Sequence, residues 1–397
     1  MRVLVLHSEL GVLRGGGENF TRNLFEAFVE RGHFVAAAFV ADPWGRYTIP
    51  LPSSIEPIPL NGCWSRNFGQ AALSTVGCLM TLNGRLGNNW MRFQNAISWR
   101  VIRWHNRRFS QRIDSEFSRR WKEFDAVYVH GDAALAAAVA SYRPTILRLP
   151  GPVSIEAESQ LRAVHAVCAN GDALATVKRF IGDHAIELPI GLDTKLFKPG
   201  PSTLRSKLGW TCRHTVVGYV GRLTRLKGVD LLAAAFQKVS NDLPDTRLLI
   251  VGSGEEERRI RSCLANEFGR NLVHIERDVS HEQLPEWYRA MDVLVMPSRY
   301  ENFSNALIEG MSCGVPFAAS NVGGNRFLSG IGAGWLFESE SVDALTRCLH
   351  GIFENNVELP AHRETALNYV KEHHSWAATA ERLDQIMTQL VGLSQLA

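Results

Sequence analysis

Two glutamates with seven residues between them, Glu301 and Glu309, follow the apolar run Val293–Met296 in the stretch Pro297-Ser298-Arg299-Tyr300-Glu301-Asn302-Phe303-Ser304-Asn305-Ala306-Leu307-Ile308-Glu309-Gly310. The pattern predicts a strand, a loop holding Glu301, then a helix with Glu309 two turns further on. Carboxylates accept hydrogen bonds from hydroxyls, and a helix N-terminus attracts phosphate, so the pair suits a phosphorylated, polyhydroxylated ligand. Upstream, the strand pattern Val216–Val220 runs into Gly221-Arg222-Leu223-Thr224-Arg225-Leu226-Lys227-Gly228. At a strand's carboxyl end Arg222 can grip a diphosphate bidentately and Lys227 as a point charge, although a solvated loop carries such cations too. Near the amino terminus Gly15-Gly16-Gly17-Glu18 separates a strand from a helix. Glycines there leave backbone N–H groups open to an anion or a sugar, or simply make a connecting turn. His130 closes the run Ala126–Val129, where a histidine either satisfies local structure or faces a ligand.

The elements that must position these groups alternate from the start. Val3–Leu6, a helix over Phe20–Val29, then Phe34–Val40, Ala126–Val129, Thr145–Leu149, Ala166–Ala169 and Ala185–Leu188 give the pattern of a parallel sheet with crossover helices. A turn-rich segment, Ile190-Gly191-Leu192-Asp193 with Phe197-Lys198-Pro199-Gly200-Pro201, interrupts it. A second series follows at Thr215–Val220, Arg247–Val251, Leu272–Ile275, Val293–Met296 and Val315–Ala318. The expected domains are 1–197 and 198–375, with a last helix over 376–397. Residues Asn61–Lys122 break the rhythm, with Trp64, Trp90, Trp99 and Trp104 among Arg92, Arg100, Arg103, Arg107, Arg108 and Arg112. Phe93, Ile97, Val101 and Trp104 fall at helical spacing, as an apolar stripe against the core or as part of a basic, aromatic face for an anionic or lipid-linked acceptor.

Composition narrows the classes. A 397-residue chain with 45% hydrophobic and 21% charged residues is long enough for two α/β cores. A formal net charge of +3 is too mild for nucleic acid as the main partner. Seven cysteines without a Cys-x-x-Cys or Cys/His spacing fit reduced thiols rather than disulfides or zinc. No run reaches the roughly 20 apolar residues of a spanning helix, and Val3–Leu6 is too short for a signal-peptide core. The expectation is a cytoplasmic protein, at most peripheral at the inner face of a membrane.

The order of motifs resembles glycosyltransferase family four, retaining enzymes of the GT-B fold marked by two glutamates with seven residues between them, as at Glu301 and Glu309. Gly15-Gly16-Gly17-Glu18, Arg31-Gly32-His33, Asp125-Ala126-Val127-Tyr128-Val129-His130, Gly191-x-Asp193, Gly221-Arg222 to Lys227-Gly228, Gly252-Ser253-Gly254, Pro297-Ser298, Gly323-Gly324 and Trp376 keep the family's order across nearly the whole chain. The resemblance implies two Rossmann-like doubly wound domains facing a central cleft, and a last helix crossing back towards the first domain. It also implies that Arg222 and Lys227 hold the donor diphosphate, Glu309 the ribose hydroxyls and Glu301 the transferred sugar. Backbone amides around Phe303, Ser304 and Asn305 would add to the phosphate site, His130 would face the reacting sugar, and the Gly15–Glu18 loop would approach phosphate and acceptor. The partners implied are a UDP- or GDP-sugar and a glycan, lipid-linked or small-molecule acceptor. Two positions depart from the family: Ser304 and Arg277 stand where glycine is commoner, the first in the phosphate loop and the second where base or sugar preference is set.

Breaking a glycosidic bond to a diphosphate requires charge stabilisation on the leaving phosphate, which paired cations can supply in place of a metal; no cofactor is expected. Retention through a covalent Glu301 intermediate and same-face attack both fit. A nucleotide-sugar epimerase and a non-catalytic nucleotide-sugar-binding protein share the fold. A dinucleotide-dependent dehydrogenase would use Gly15-x-Gly17 with Asp42, but Phe20 stands where the third glycine belongs.

Overall fold

The computed structural model describes residues 1–11, 16–41, 49–60, 105–151, 155–328, 330–354 and 358–396. Gly15, Asp42, most of the Trp/Arg-rich insertion and its Phe93–Trp104 stripe lie outside them. The short apolar runs are buried on both faces, as strands of a helix-covered parallel sheet must be. In the first unit, β1 (Arg2–Leu6), β2 (Phe34–Val40), β3 (Glu56–Leu60), β4 (Ala126–His130), β5 (Thr145–Arg148), β6 (Ala166–Ala169) and β7 (Ala185–Glu187) form one sheet. Its order is β3-β2-β1-β4-β5-β6-β7 and every pair is parallel. In the second, β8 (Thr215–Val220), β9 (Thr246–Val251), β10 (Val273–Glu276), β11 (Val293–Met296), β12 (Phe317–Ser320) and β13 (Gly334–Phe337) pair in the order β10-β9-β8-β11-β12-β13, again all parallel. The chain is thus two Rossmann-like α/β domains.

Two strands escape the sequence pattern, and both lie at sheet edges. β3 carries Pro57 and Pro59, which cannot donate to a ladder and are tolerated only where one side of the strand is unpaired. β13 follows Gly330 and Gly332 and reads as loop. β12 begins at Phe317 rather than at Val315, because Pro316 has no N–H to offer; its carbonyl accepts from Leu294 N instead.

The helix over 105–117 buries His105, Phe109, Ile113 and Phe117, a stripe spaced four residues apart, while Arg107, Arg108 and Arg112 are exposed. Each such apolar side chain taken from water contributes roughly 1.5–3 kcal/mol. The first compact unit comprises Met1–Ala169, Ala173–Leu188 and Thr379–Ala397, and the second Asn170–Asp172 and Pro189–Ala378. The change of unit therefore falls at Leu188, ahead of the position 197 expected from the turn-rich segment. Phe197 is fully buried in the second core, and its carbonyl accepts from Ser312 Oγ at 2.6 Å. No helix among the described residues is long and apolar enough to cross a membrane.

His374 lies 2.8 Å through Nδ1 from the Ile190 carbonyl, and burial pulls its pKa down to about 4. An unfolded histidine titrates near 6.5, so the folded state excludes a proton that the unfolded chain takes up. Stability from this group is complete above about pH 6.5 and is lost as pH falls towards 4, on the order of 3 kcal/mol at the lower limit. His374→Gln is expected to flatten the fall of melting temperature over that window, measured by calorimetry against wild type.

Candidate active site

In each all-parallel sheet the order in which strands are added switches sides once, between β1 and β4 in the first unit and between β8 and β11 in the second. Loops leaving the two strands diverge there, so a crevice opens beyond their carboxyl ends.

In the first unit β1 leads into His7 and the neighbouring β4 ends in His130; the imidazoles stack with centroids 4.2 Å apart and an 11° interplanar angle. The helix Gly16–Glu30 begins beside them and presents Glu18 and Thr21. Glu18 Oε1 is 3.5 Å from His7 Nε2. Thr21 Oγ1 donates to the Gly17 carbonyl at 3.0 Å and lies 3.0 Å from His7 Nδ1 and 3.3 Å from His130 Nδ1. Burial alone would raise the Glu18 carboxyl, but the hydrogen bond and charge of His7 hold it below the usual range. A Cβ on Gly17 would stand 2.7 Å from His130 Nε2, so this position tolerates no side chain while the imidazole stays in place. Gly17, Glu18 and His130 are thus brought together, with Gly16 opening the helix. Sequence alone did not single out His7 or Thr21, because only the strand order sets β1 beside β4.

In the second unit the loop after β8 is tied down by Tyr219, whose hydroxyl donates to the Arg222 carbonyl at 2.8 Å. Burial, then the charge of Glu301, push this phenol well up, so it remains a donor. The Arg222 guanidinium is exposed. A single turn, Arg225–Lys227, brings Lys227 Nζ to 2.6 Å from Glu301 Oε2, and Ser298 Oγ donates to the same oxygen at 3.4 Å. Glu301 is only 6% exposed. Lys227 therefore meets the first glutamate of the motif.

The backbone under Glu301 is clamped. Gly324 N donates to the Glu301 carbonyl at 2.7 Å, and Asp172 N donates to the Asn302 carbonyl at 3.2 Å. Gly171 and Gly324 both approach the Asn302 carbonyl so closely that a Cβ on either would overlap it. Phe303 packs against the second core with its ring 5.7 Å from His374. Ser304 accounts for one departure from the family. It is the N-cap of the helix Asn305–Ser312, and its buried hydroxyl accepts from Leu307 N at 3.4 Å, so it closes the third N–H of the first turn and leaves those of Asn305 and Ala306 ahead of the helical ladder. Glu309, on the same helix, accepts from Tyr288 Oη at 2.7 Å. Arg277, the other departure, pairs through Nε with Glu257 Oε2 at 3.0 Å, and Glu257 holds Arg261 at 2.9 Å as well.

With this cation–carboxylate pair and the second glutamate at the switch point of its sheet, the second unit coincides with the stretch that matches a known family: residues 202–373 match the model described as glycosyl transferases group 1. The motif resemblance to glycosyltransferase family four is borne out. Among similar proteins is a GDP-mannose-dependent monoacylated alpha-(1-6)-phosphatidylinositol monomannoside mannosyltransferase from Corynebacterium glutamicum, 31% identical over 53% of this chain and 59% of that one. The chain spans 49% to 61% of the length of the first curated relatives it matches. Among solved structures, sucrose-phosphate synthase from Thermosynechococcus elongatus aligns over 99% of both chains with a TM-score of 0.71 at 20% identity. The Anabaena protein HepE in complex with UDP aligns over 98% of this chain and 100% of its own, with a TM-score of 0.69 at 18% identity. These two likenesses establish the GT-B fold of paired Rossmann-like domains.

Proposed function

We propose that the protein is a retaining glycosyltransferase that moves a hexosyl unit from a UDP- or GDP-sugar to a hydroxyl of a glycan, lipid-linked or small-molecule acceptor. The observation that carries the reading is the pair of buried Glu301 with Lys227 at 2.6 Å, with Glu309 in the second turn of the helix that follows, at the switch point of the second sheet. A relative named for GDP-mannose and a neighbour solved with UDP support a nucleoside diphosphate as the donor's carrier.

In this reading Arg222, Lys227 and the first-turn amides beyond Phe303 and Ser304, including that of Asn305, take the charge that gathers on the leaving β-phosphate. Glu309 accepts from the ribose and Glu301 from the sugar. The C1–O bond to the phosphate breaks, the acceptor oxygen bonds to C1 on the same face, and the acceptor proton passes to the departing phosphate oxygen. With one oxygen of Glu301 engaged by an ammonium, its negative charge is partly neutralised, which supports a sugar-holding role over a covalent nucleophile. His130, with Gly17 and Glu18 near it in the fold and Gly15 and Gly16 preceding them in the sequence, belongs to the acceptor and reacting-sugar side.

Thermal-shift measurements with UDP-, GDP-, ADP- and dTDP-sugars and with NAD(H) test the donor, because a ligand of the native state alone raises apparent stability. A UDP- or GDP-sugar is expected to shift the melting curve, and transfer to acceptor is expected to survive excess EDTA. A shift with NAD(H) and none with any nucleotide sugar would remove the reading. Free epimerised sugar without transfer would identify an epimerase, and binding without any turnover a non-catalytic protein.

A further inference from the structure

We propose that Tyr288 is a positioning residue for the donor: its hydroxyl fixes one oxygen of Glu309 so that the other faces the vicinal diol of a nucleotide ribose. This rests on the donor reading above and adds a residue that no motif marks.

Tyr288 lies on the helix Leu284–Arg289 and is fully buried. Its ring is wedged between two neighbours. One is the helix Asn305–Ser312 at Gly310, where an added Cβ would stand 3.5 Å from the ring; the other is Phe197, edge-on with centroids 6.1 Å apart. A tyrosine held on both sides has little freedom left, and its hydroxyl donates to Glu309 Oε2 at 2.7 Å, a short charge-assisted bond. Burial, and after it the charge of Glu309, raise this phenol well above its ordinary value, so it stays protonated and donates.

The other oxygen of Glu309 is differently placed. His281 Nε2 is 3.8 Å from Oε1, an ion pair longer than a hydrogen bond in which Glu309 raises the imidazole's pKa, and the His281 side chain is 58% exposed, so a ligand can displace it. Phe197 packs edge-on against this imidazole as well, at 5.0 Å, so one buried ring steadies both neighbours of the carboxylate. An ionised oxygen has two lone-pair directions, enough for both hydroxyls of a vicinal diol. A glutamate side chain has three rotatable bonds, and ordering them on binding weakens affinity; a carboxylate already fixed by Tyr288 avoids that loss.

A tyrosine that merely fills the core would affect every ligand alike through stability, whereas one acting through Glu309 affects only ligands with ribose hydroxyls. Titration calorimetry of UDP, GDP and their 2′,3′-dideoxy analogues against wild type and Tyr288→Phe separates the two. For whichever ribonucleotide wild type binds, Tyr288→Phe is expected to raise Kd about five- to tenfold and to leave the dideoxy analogue within about twofold. kcat at saturating donor should fall by less than Kd rises. In a Glu309→Gln background the same substitution is expected to add no further loss, since the acceptor it orients has already changed. Equal weakening of ribo- and dideoxynucleotide, or weakening of neither, overturns the positioning role while leaving the donor reading intact. Wild type binding neither UDP nor GDP removes the donor reading itself, and the role of Tyr288 with it.

Discussion

Glu301→Gln is expected to lower kcat about a hundredfold or more while raising the Kd for UDP or GDP no more than about threefold. The geometry explains the asymmetry. Lys227 Nζ sits 2.6 Å from Oε2, so a glutamine would turn its carbonyl oxygen to the ammonium and its NH2 the other way. The face left for the sugar changes from acceptor to donor, and the negative charge that strengthens hydroxyl contacts as an oxocarbenium-like state forms is gone. UDP and GDP lack the transferred sugar and therefore register little of this. Glu309→Ala is expected to show the opposite division, with donor-nucleotide Kd raised roughly ten- to a hundredfold through loss of a charged hydrogen-bond partner. Titration calorimetry of both variants, with kcat at saturating donor, measures the two shares. An intact kcat in Glu301→Gln with weakened UDP or GDP binding would reverse the assignment.

Gly324→Ala is expected to destabilise the second unit by roughly 3 kcal/mol and to lower turnover more than tenfold, although the residue is not among the motif's charged groups. Its N–H holds the Glu301 carbonyl at 2.7 Å, and a Cβ would overlap the Asn302 carbonyl, which Asp172 N already fixes from the other side. Backbone, unlike the tip of a long side chain, cannot step aside without moving its neighbours, so the loop bearing Glu301 must shift. At about 2–4 °C per kcal/mol the melting temperature should fall by roughly 6–12 °C. Gly330→Ala, where an added Cβ meets nothing within 4 Å, is the control and should melt within about 2 °C of wild type. Calorimetry together with transfer assays checks both; an unchanged melting temperature for Gly324→Ala would show that the clamp is soft.

Much of this was legible in the chain because parallel strands bury both faces and therefore read as continuous apolar runs; Val3–Leu6 and Val293–Met296 announce themselves in that way. The edge strands did not, since β3 mixes prolines with exposed glutamate and β13 is four residues long. Glu301, Glu309, Arg222 and Lys227 were visible through residue type and spacing. The contact between Lys227 and Glu301, 74 residues apart, was not, because it depends on β8 and β11 being neighbours. The same holds for His7 beside His130. Tyr288 and Gly171 carry no local signal: one is a tyrosine in a short helix, the other the opening glycine of the helix Gly171–Ile181, and only packing gives each a task.

The division of the first unit into separate chain segments has a consequence for how the polypeptide is made. Its last segment, Thr379–Ala397, contributes the buried Ala380, Leu383, Ile386 and Met387 and places Asp384 within 3.4 Å of Arg31 and 3.2 Å of His33. About 190 residues of the second unit separate it from Leu188. At ribosomal speeds of about 5–20 residues per second that interval lasts roughly 10–40 s. During it the earlier-made strands wait with the surface that this helix will cover still open to water, while the later-made unit can finish its core first. For this chain the order of translation and the order of completion run in opposite directions.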